Sequence, residues 1–342
     1  MGETKKTPAE LPLSALAETL KKYDSFFLAG HQNPDGDTIG CMLCMASVLR
    51  RFGKKSWLYS ADPVPDNLSF LHGASRIHAG KLPSKRNYDA AILIECSTPS
   101  RAGNIREVLS RVKAVVNIDH HRTFENYGTV NYVDPAASST AELLYGIISA
   151  MGIKISAREA EYLYVGLATD TGRFHYPSTT ARAHTVAAAL LETGFKPWKV
   201  NDRVYGTRAY PALKLLGAAL SRLEMLDGGR TAFSFLTRQD IAAARALPQH
   251  TEDIVNYGLM VPGAQVSVLL REEESRLAVN LRSKGHVDVS KLAKLFGGGG
   301  HRNAAGCKSQ LSLSEMKNRM LAAVKAAYEH AGKTAAATKR GR

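Results

Sequence analysis

At 342 residues the chain is long enough for two domains, each burying its own core, and a formal charge of +14 with a pI near 9.6 makes an anionic partner the expectation. Its four cysteines, Cys41, Cys44, Cys96 and Cys307, show no finger-like pairing beyond Cys41 and Cys44, which excludes a structural zinc module and a disulfide framework. No window supplies an apolar run long enough for a membrane span and the first residues develop no secretory core, so no membrane contact and a cytoplasmic location are expected.

In chain order, residues 14–23 read as a short amphipathic helix and 26–30 as the first strand, which runs into His31-Gln32-Asn33-Pro34-Asp35-Gly36-Asp37. Residues 38–49, mostly apolar and rich in Met, Leu and Ala, suit a helix packed on a sheet. Further short strands are predicted at 56–60, 90–94 and 114–118, with a helix over 104–111 between the last two. Apolar rather than alternating strands, separated by helices, indicate a parallel sheet covered on both faces. Ligands of such sheets sit beyond the carboxyl ends of the strands, which is where His31, Glu95 and Asp119 fall.

Ser138-Ser139-Thr140-Ala141-Glu142 reads as a helix start, with cap residues ahead of an acidic residue and an apolar run. Another helix is expected over 156–169, running into Asp170-Thr171-Gly172-Arg173-Phe174, and a further one over 181–191, stopped before Gly194. A polar, aromatic stretch over 198–210 leads to a helix ending near Arg222, where the pattern changes. Strands then follow at 231–235, 264–270 and 275–282, consistent with a mixed sheet. The segment 289–296 is a helix broken by Gly297 to Gly300 and followed by His301, Arg302 and Asn303. Several glycines in a row allow close backbone approach and free amide donors, which makes this a phosphate-binding candidate. The expected fold class is therefore α/β: a parallel-sheet domain over 14–200, a connecting segment over 201–222, a smaller α/β domain of mixed sheet over 223–332, and a disordered basic tail over 333–342.

The chemistry lies at the strand exits. His31, Asp35 and Asp37 follow the first strand, Glu95 another, Asp119, His120 and His121 a third, and Asp170 closes a helix. Carboxylates mixed with histidines suit Mn²⁺ or a similar borderline-hard ion better than a thiolate site. An ion pair about 3.5–4 Å apart needs a bridging acid, and such a pair can activate water and stabilise oxygens during phosphoryl transfer.

These motifs, in this order, resemble the DHH phosphoesterase family, and within it the branch of oligoribonucleases and 3′-phosphoadenosine 5′-phosphate phosphatases. The similarity rests on His31 to Asp37, on Ile94-Glu95-Cys96-Ser97 with Arg101, on Asp119-His120-His121 and on Thr169-Asp170-Thr171-Gly172. The run Phe296 to His301 with Ala304-Ala305-Gly306 resembles the family's associated carboxy-terminal DHHA1 domain. The resemblance implies two Mn²⁺ ions, with Mg²⁺ or Co²⁺ as substitutes. His31 and Asp35 would hold one, Asp37, His120 and Asp170 the other, and Glu95 would bridge them where the family ordinarily has aspartate. It further implies that His121 orients or protonates the scissile phosphate, that Asp119 supports the loop or ligates weakly, and that Arg101 neutralises phosphate, with Arg173 and Ser97 as lesser candidates. Gly298, Gly299, Gly300, His301, Arg302 and Asn303 would grip the far end of a substrate in a cleft between domains, helped by Arg282 and Lys284. The activity so implied is hydrolysis of very short RNA to mononucleotides and removal of the 3′-phosphate of 3′-phosphoadenosine 5′-phosphate, by a protein expected to form a homodimer. The alternatives are a phosphodiesterase for cyclic di-AMP or linear dinucleotides and a non-enzymatic nucleic-acid-binding module.

Overall fold

The computed structural model describes residues 13–83 and 87–340, and the chain divides into two units, Met1–Thr207 and Arg208–Arg342. In the first, α1 (Leu13–Lys22) precedes β1 (Ser25–Gly30), α2 (Gly36–Arg51), β2 (Lys55–Ser60), β3 (Ile77–Ala79), β4 (Ala90–Ile94), α3 (Arg106–Leu109), β5 (Ala114–Asp119) and β6 (Val130–Val133). Then come α4 (Thr140–Ala150), α5 (Ala157–Asp170), α6 (Ala181–Glu192) and the short α7 (Pro197–Asn201). All six strands are parallel, in the order β3-β2-β1-β4-β5-β6. The chain winds outward one way from β1 and the other way from β4, so the topological switch lies between these two neighbours, where open α/β sheets place their ligands.

β4 is buried along its whole length, as expected of a strand covered on both faces. One face packs Phe26, Leu28, Ile92, Ile94, Val116 and Ile118 against the helical layer of α2, α4 and α5. The other packs Phe27, Ala29, Ala91 and Leu93 under Tyr59, Tyr88 and Ile105. Side-chain oxygens close the helix starts: Asp35 accepts from Thr38 N (3.0 Å), Ser139 from Glu142 N (3.1 Å), and Ser156 and Glu159 form a reciprocal capping box on α5. Helices α2 and α5 approach closely at two glycines. A Cβ on Gly40 would stand 2.3 Å from the Tyr162 carbonyl oxygen, and one on Gly166 2.3 Å from Asp37 Oδ1.

The second unit holds α8 (Tyr210–Ser221), β7 (Glu224–Leu226), β8 (Thr231–Leu236), α9 (Arg238–Ala243), α10 (Ile254–Gly258), β9 (Val266–Glu272) and β10 (Leu277–Ser283). It ends in α11 (Val289–Lys294), β11 (Gly299–His301), β12 (Ala304–Ser309) and α12 (Leu313–Arg340). Its sheet, ordered β11-β12-β10-β9-β8-β7, is mixed, with β8 and β9 parallel and the other pairs antiparallel.

Two expectations change. The helix assigned to a connecting segment belongs to the second unit, because Leu215 and Ala219 of α8 pack with Leu236, Ile254, Val255 and Leu269. The segment 333–342, expected as a disordered tail, continues α12 as far as Arg340. Its Ala, Lys and Arg residues are strong helix formers, and the helix is anchored by Met316, Met320, Val324 and Tyr328 on its buried face. Residues 341–342 lie outside the described ones. Among the described residues, no helix is long and apolar enough to cross a membrane.

Candidate metal centre

The register of the parallel sheet sets three chain exits side by side. Gly30 pairs with Ile94 and Ile94 with Ile118, so the residues that follow, His31, Glu95 and Asp119, emerge at the same level. His31 is 6 % exposed. Its Nδ1 lies 2.7 Å from the Gln32 carbonyl oxygen, which fixes the proton there and leaves Nε2 as the free donor atom. That Nε2 is 3.6 Å from Asp35 Oδ2 and 3.7 Å from Glu95 Oε2.

Glu95 occupies the middle of the centre and is 1 % exposed. Its backbone φ of 59° puts a non-glycine residue in the left-handed region, a costly conformation held by the surrounding sheet. The two carboxylate oxygens face different partners. Oε2 faces His31, whereas Oε1 lies 3.2 Å from His120 Nε2. His120 Nε2 is also 3.0 Å from Asp170 Oδ2, and its Nδ1 lies 3.3 Å from the Ala137 carbonyl oxygen, again orienting Nε2 inward. Asp37, fully buried, accepts Thr140 N–H at Oδ2 (2.6 Å) and Ala141 N–H at Oδ1 (2.9 Å), at the amino end of α4 where the helix dipole favours negative charge.

Among the described residues, donor atoms within 4.8 Å of one another fall into a group of His31, Asp35 and Glu95, a group of Asp37, Glu95, His120 and Asp170, and a third of Glu95, His120 and His121. Glu95 belongs to all three. The donor set fits one or two hard or borderline divalent cations: oxygens from four carboxylates and imidazole nitrogens already turned inward, in a buried place where uncompensated negative charge is costly. The protonation of the side chains reports the same imbalance. Burial pulls the His31 imidazolium down, but Asp35 and Glu95 more than offset it and push the group up to about 10. Burial likewise opposes the charge on His120, yet Asp170 and Glu95 push it up to about 12. Burial, followed by the charges of Glu95 and Asp170, raises Asp37. Burial also lifts Asp170 to about 6, against the stabilising bond from His120. Burial alone would raise Glu95 too, but His120 and His31 bind its anion and hold it well below the usual carboxylate range.

His121 lies at the edge of this centre, with a ring nitrogen within 4.8 Å of donor atoms of Glu95 and His120. Its Nδ1 is 2.6 Å from Oδ1 of the fully buried Asp119, which also accepts the His121 N–H at 3.1 Å. The bond to Asp119 raises the imidazole above its ordinary value, with burial opposing it. Asp119 Oδ2 is buried without a hydrogen-bond partner. Arg101 lies on the short turn Pro99–Ala102 with its side chain exposed, and its carbonyl accepts Gln32 N–H at 2.6 Å. Ser97 is half-buried and its carbonyl accepts Glu125 N–H at 2.8 Å. Arg173, exposed at φ 62°, lays its guanidinium 4.9 Å from the Tyr205 ring centre.

In the second unit, the glycine run is less open than its composition suggests. A Cβ on Gly298 would stand 2.2 Å from the Gly306 carbonyl oxygen and one on Gly300 2.6 Å from that of Ala304, so both serve the close approach to β12, while Gly299 faces open space. His301 and Arg302 are exposed. Asn303 Nδ2 donates to the Ser283 carbonyl (2.9 Å), Lys284 Nζ to that of Leu259 (2.6 Å), and Arg282 to that of Leu281 (3.1 Å). Asn303 and Lys284 thus have local structural work.

Sequence reasoning missed the groups that hold the ligands. Thr38 and Thr140 donate their hydroxyls to Glu95 at 3.3 and 2.9 Å, and Gly166 leaves room for Asp37. A threonine in a first helical turn reads as a cap, so only the fold reveals that its hydroxyl reaches a carboxylate on a distant strand exit.

Comparison with known proteins places these features. The model of the DHH family, N-terminal domain, matches residues 25–167, and that of the DHHA1 domain matches residues 241–330. The chain is 33 % identical over 322 residues to the bifunctional oligoribonuclease and PAP phosphatase NrnA of Thermus thermophilus, covering 93 % of this chain and 94 % of that one. It is 26 % identical over 294 residues to the protein of the same name from Bacillus subtilis, covering 85 % and 91 %. Among solved structures, an exopolyphosphatase-related protein from Bacteroides fragilis superimposes with a TM-score of 0.82 at 26 % identity, covering 97 % and 98 % of the two chains.

Proposed function

The chain belongs to the DHH family, and from that premise we propose that it is a metal-dependent phosphoesterase. It hydrolyses very short RNA to mononucleotides and removes the 3′-phosphate of 3′-phosphoadenosine 5′-phosphate, the activities named for its relatives. One observation carries the reading: Glu95, buried, turns one oxygen to the His31 side and the other to the His120 and Asp170 side. That is the arrangement required of an acid shared by two ions. Two Mn²⁺ ions are the proposed occupants, His31 and Asp35 holding one and Asp37, His120 and Asp170 the other. Such a pair supplies Lewis acidity, lowering the pKa of water and offsetting negative charge on phosphate oxygens.

The chain's own groups complete the chemistry. His121 has its Nδ1 tied to Asp119 and 41 % of its side chain exposed. The hydrogen bond to Asp119 raises its pKa, and His121 is the proposed general acid that protonates the leaving oxygen. Asp119 fixes the tautomer and stabilises the imidazolium. Arg101 on the turn after Glu95 offers a guanidinium to substrate phosphate. In the second unit the exposed His301 and Arg302, with Gly299, are the proposed substrate contacts.

A panel of labelled RNA dinucleotide, 3′-phosphoadenosine 5′-phosphate, and linear and cyclic di-AMP tests this, with Mn²⁺ present and His120→Ala as control. The first two should be hydrolysed by the wild type and not by the variant. Turnover confined to the di-AMP substrates would overturn the substrate assignment, and tight oligonucleotide binding without turnover would make the chain a binding module.

A further inference from the structure

We propose that Thr38 and Thr140 form a paired hydroxyl clamp that sets the position of Glu95, each threonine tuning one half of the metal centre. The inference rests on the two-ion reading above. Each threonine makes the same pair of contacts on its own side. Thr38 donates its backbone N–H to Asp35 Oδ1 (3.0 Å) and its hydroxyl to Glu95 Oε2 (3.3 Å). Thr140 donates its N–H to Asp37 Oδ2 (2.6 Å) and its hydroxyl to Glu95 Oε1 (2.9 Å). Thus Thr38 joins the shared acid to a carboxylate of the His31 group, and Thr140 joins it to a carboxylate of the His120 group.

Satisfying a buried hydroxyl does not require such a partner. Thr171, fully buried, returns its hydroxyl to the Leu167 carbonyl four residues back at 2.6 Å, and the half-buried Thr169 does the same with Val165 at 2.9 Å. Thr38 and Thr140, both fully buried in the first turns of α2 and α4, instead spend theirs on one carboxylate that follows β4. Glutamate has one more rotatable bond than aspartate, and ordering it costs side-chain entropy. Two donors on opposite oxygens select one rotamer and hold each oxygen toward its own ligand group. Partners of this kind orient metal ligands and contribute strongly to affinity.

The test is Mn²⁺ binding by the full chain, followed by titration with electron paramagnetic resonance of free and bound ion, in Thr38→Val, Thr140→Val and the corresponding Ser variants. Valine keeps the volume and removes the donor; serine keeps the donor. The wild type should bind two ions. Thr140→Val should weaken one of them about ten- to a hundredfold, Thr38→Val the other, and each Ser variant should recover most of the loss. An Asp170→Asn background assigns the halves: there Thr140→Val should add little, whereas Thr38→Val should still weaken binding. Melting curves for each variant show that the fold is retained. Two ions bound at wild-type affinity by both Val variants, or Ser variants as weak as Val, would overturn the clamp alone. Fewer than two ions in the wild type would remove the two-ion reading and the clamp with it.

Discussion

His31 and His120 are the residues at which ligand geometry and protonation meet. Both imidazoles sit above neutrality, His31 at about 10 and His120 at about 12, because carboxylates around them outweigh the penalty of burial. At pH 7 the metal-free protein therefore carries both protons, and a cation that takes Nε2 must displace them. Metal loading should release protons at neutral pH, and affinity should rise with pH. Titrating Mn²⁺ into weakly buffered protein with a pH indicator measures this, and loading without acidification would contradict the placement of both histidines in the site. The clustered residues His31, Glu95, His120 and Asp170 stand at or just after the ends of apolar strands or a helix, a position that the sequence shows. Their supports were not legible there. Ser138-Ser139-Thr140 reads as a helix start, and Ser139 is indeed the cap, but the same motif also delivers a hydroxyl and an N–H to two different acids. Local pattern reveals the first role, and only tertiary placement reveals the second.

At the scale of elements, the centre depends on α2, α4 and α5 meeting with little space between them. Gly40 and Gly166 sit at this junction with opposite consequences. Gly40→Ala drives a methyl group against the Tyr162 carbonyl, which is backbone and yields little. We expect a stability loss of about 1–3 kcal/mol with metal binding kept. Gly166→Ala presses on Asp37 Oδ1 and the Ala141 methyl, so it should lose comparable stability and weaken Mn²⁺ binding as well. Melting temperature and ion affinity measured together separate the two, and equal ion affinity in both variants would show that Asp37 does not depend on this contact. The central strands were legible because each is a short apolar run. β3 and β6 were not, being three and four residues long at the sheet edges, with β6 alternating between buried and half-buried positions. The helix α8 was assigned to a connection because a sequence shows where a pattern changes, not which core a helix joins. The glycines at 298 and 300 likewise read as a cradle, while the structure uses them to seat the chain against β12.

For the molecule as a whole, the first unit supplies every proposed metal ligand, from strand exits of its parallel sheet and from α2 and α5, while the second carries Gly299 and His301 on β11 with Arg302 in the turn that follows. A charge of +14 suits the anionic substrates proposed for it. The proposed hydrolysis depends on Glu95 as an acid shared by two ions. The most direct measurement is turnover of a labelled RNA dinucleotide by chelator-stripped protein, with and without added Mn²⁺, in the wild type and in Glu95→Gln. The wild type should be inactive when stripped and recover with Mn²⁺, while Glu95→Gln should stay at least about a hundredfold slower at the same metal concentration, the upper end of what even outlying ligand partners cost. Equal hydrolysis by stripped wild type, or wild-type turnover by Glu95→Gln, would contradict it.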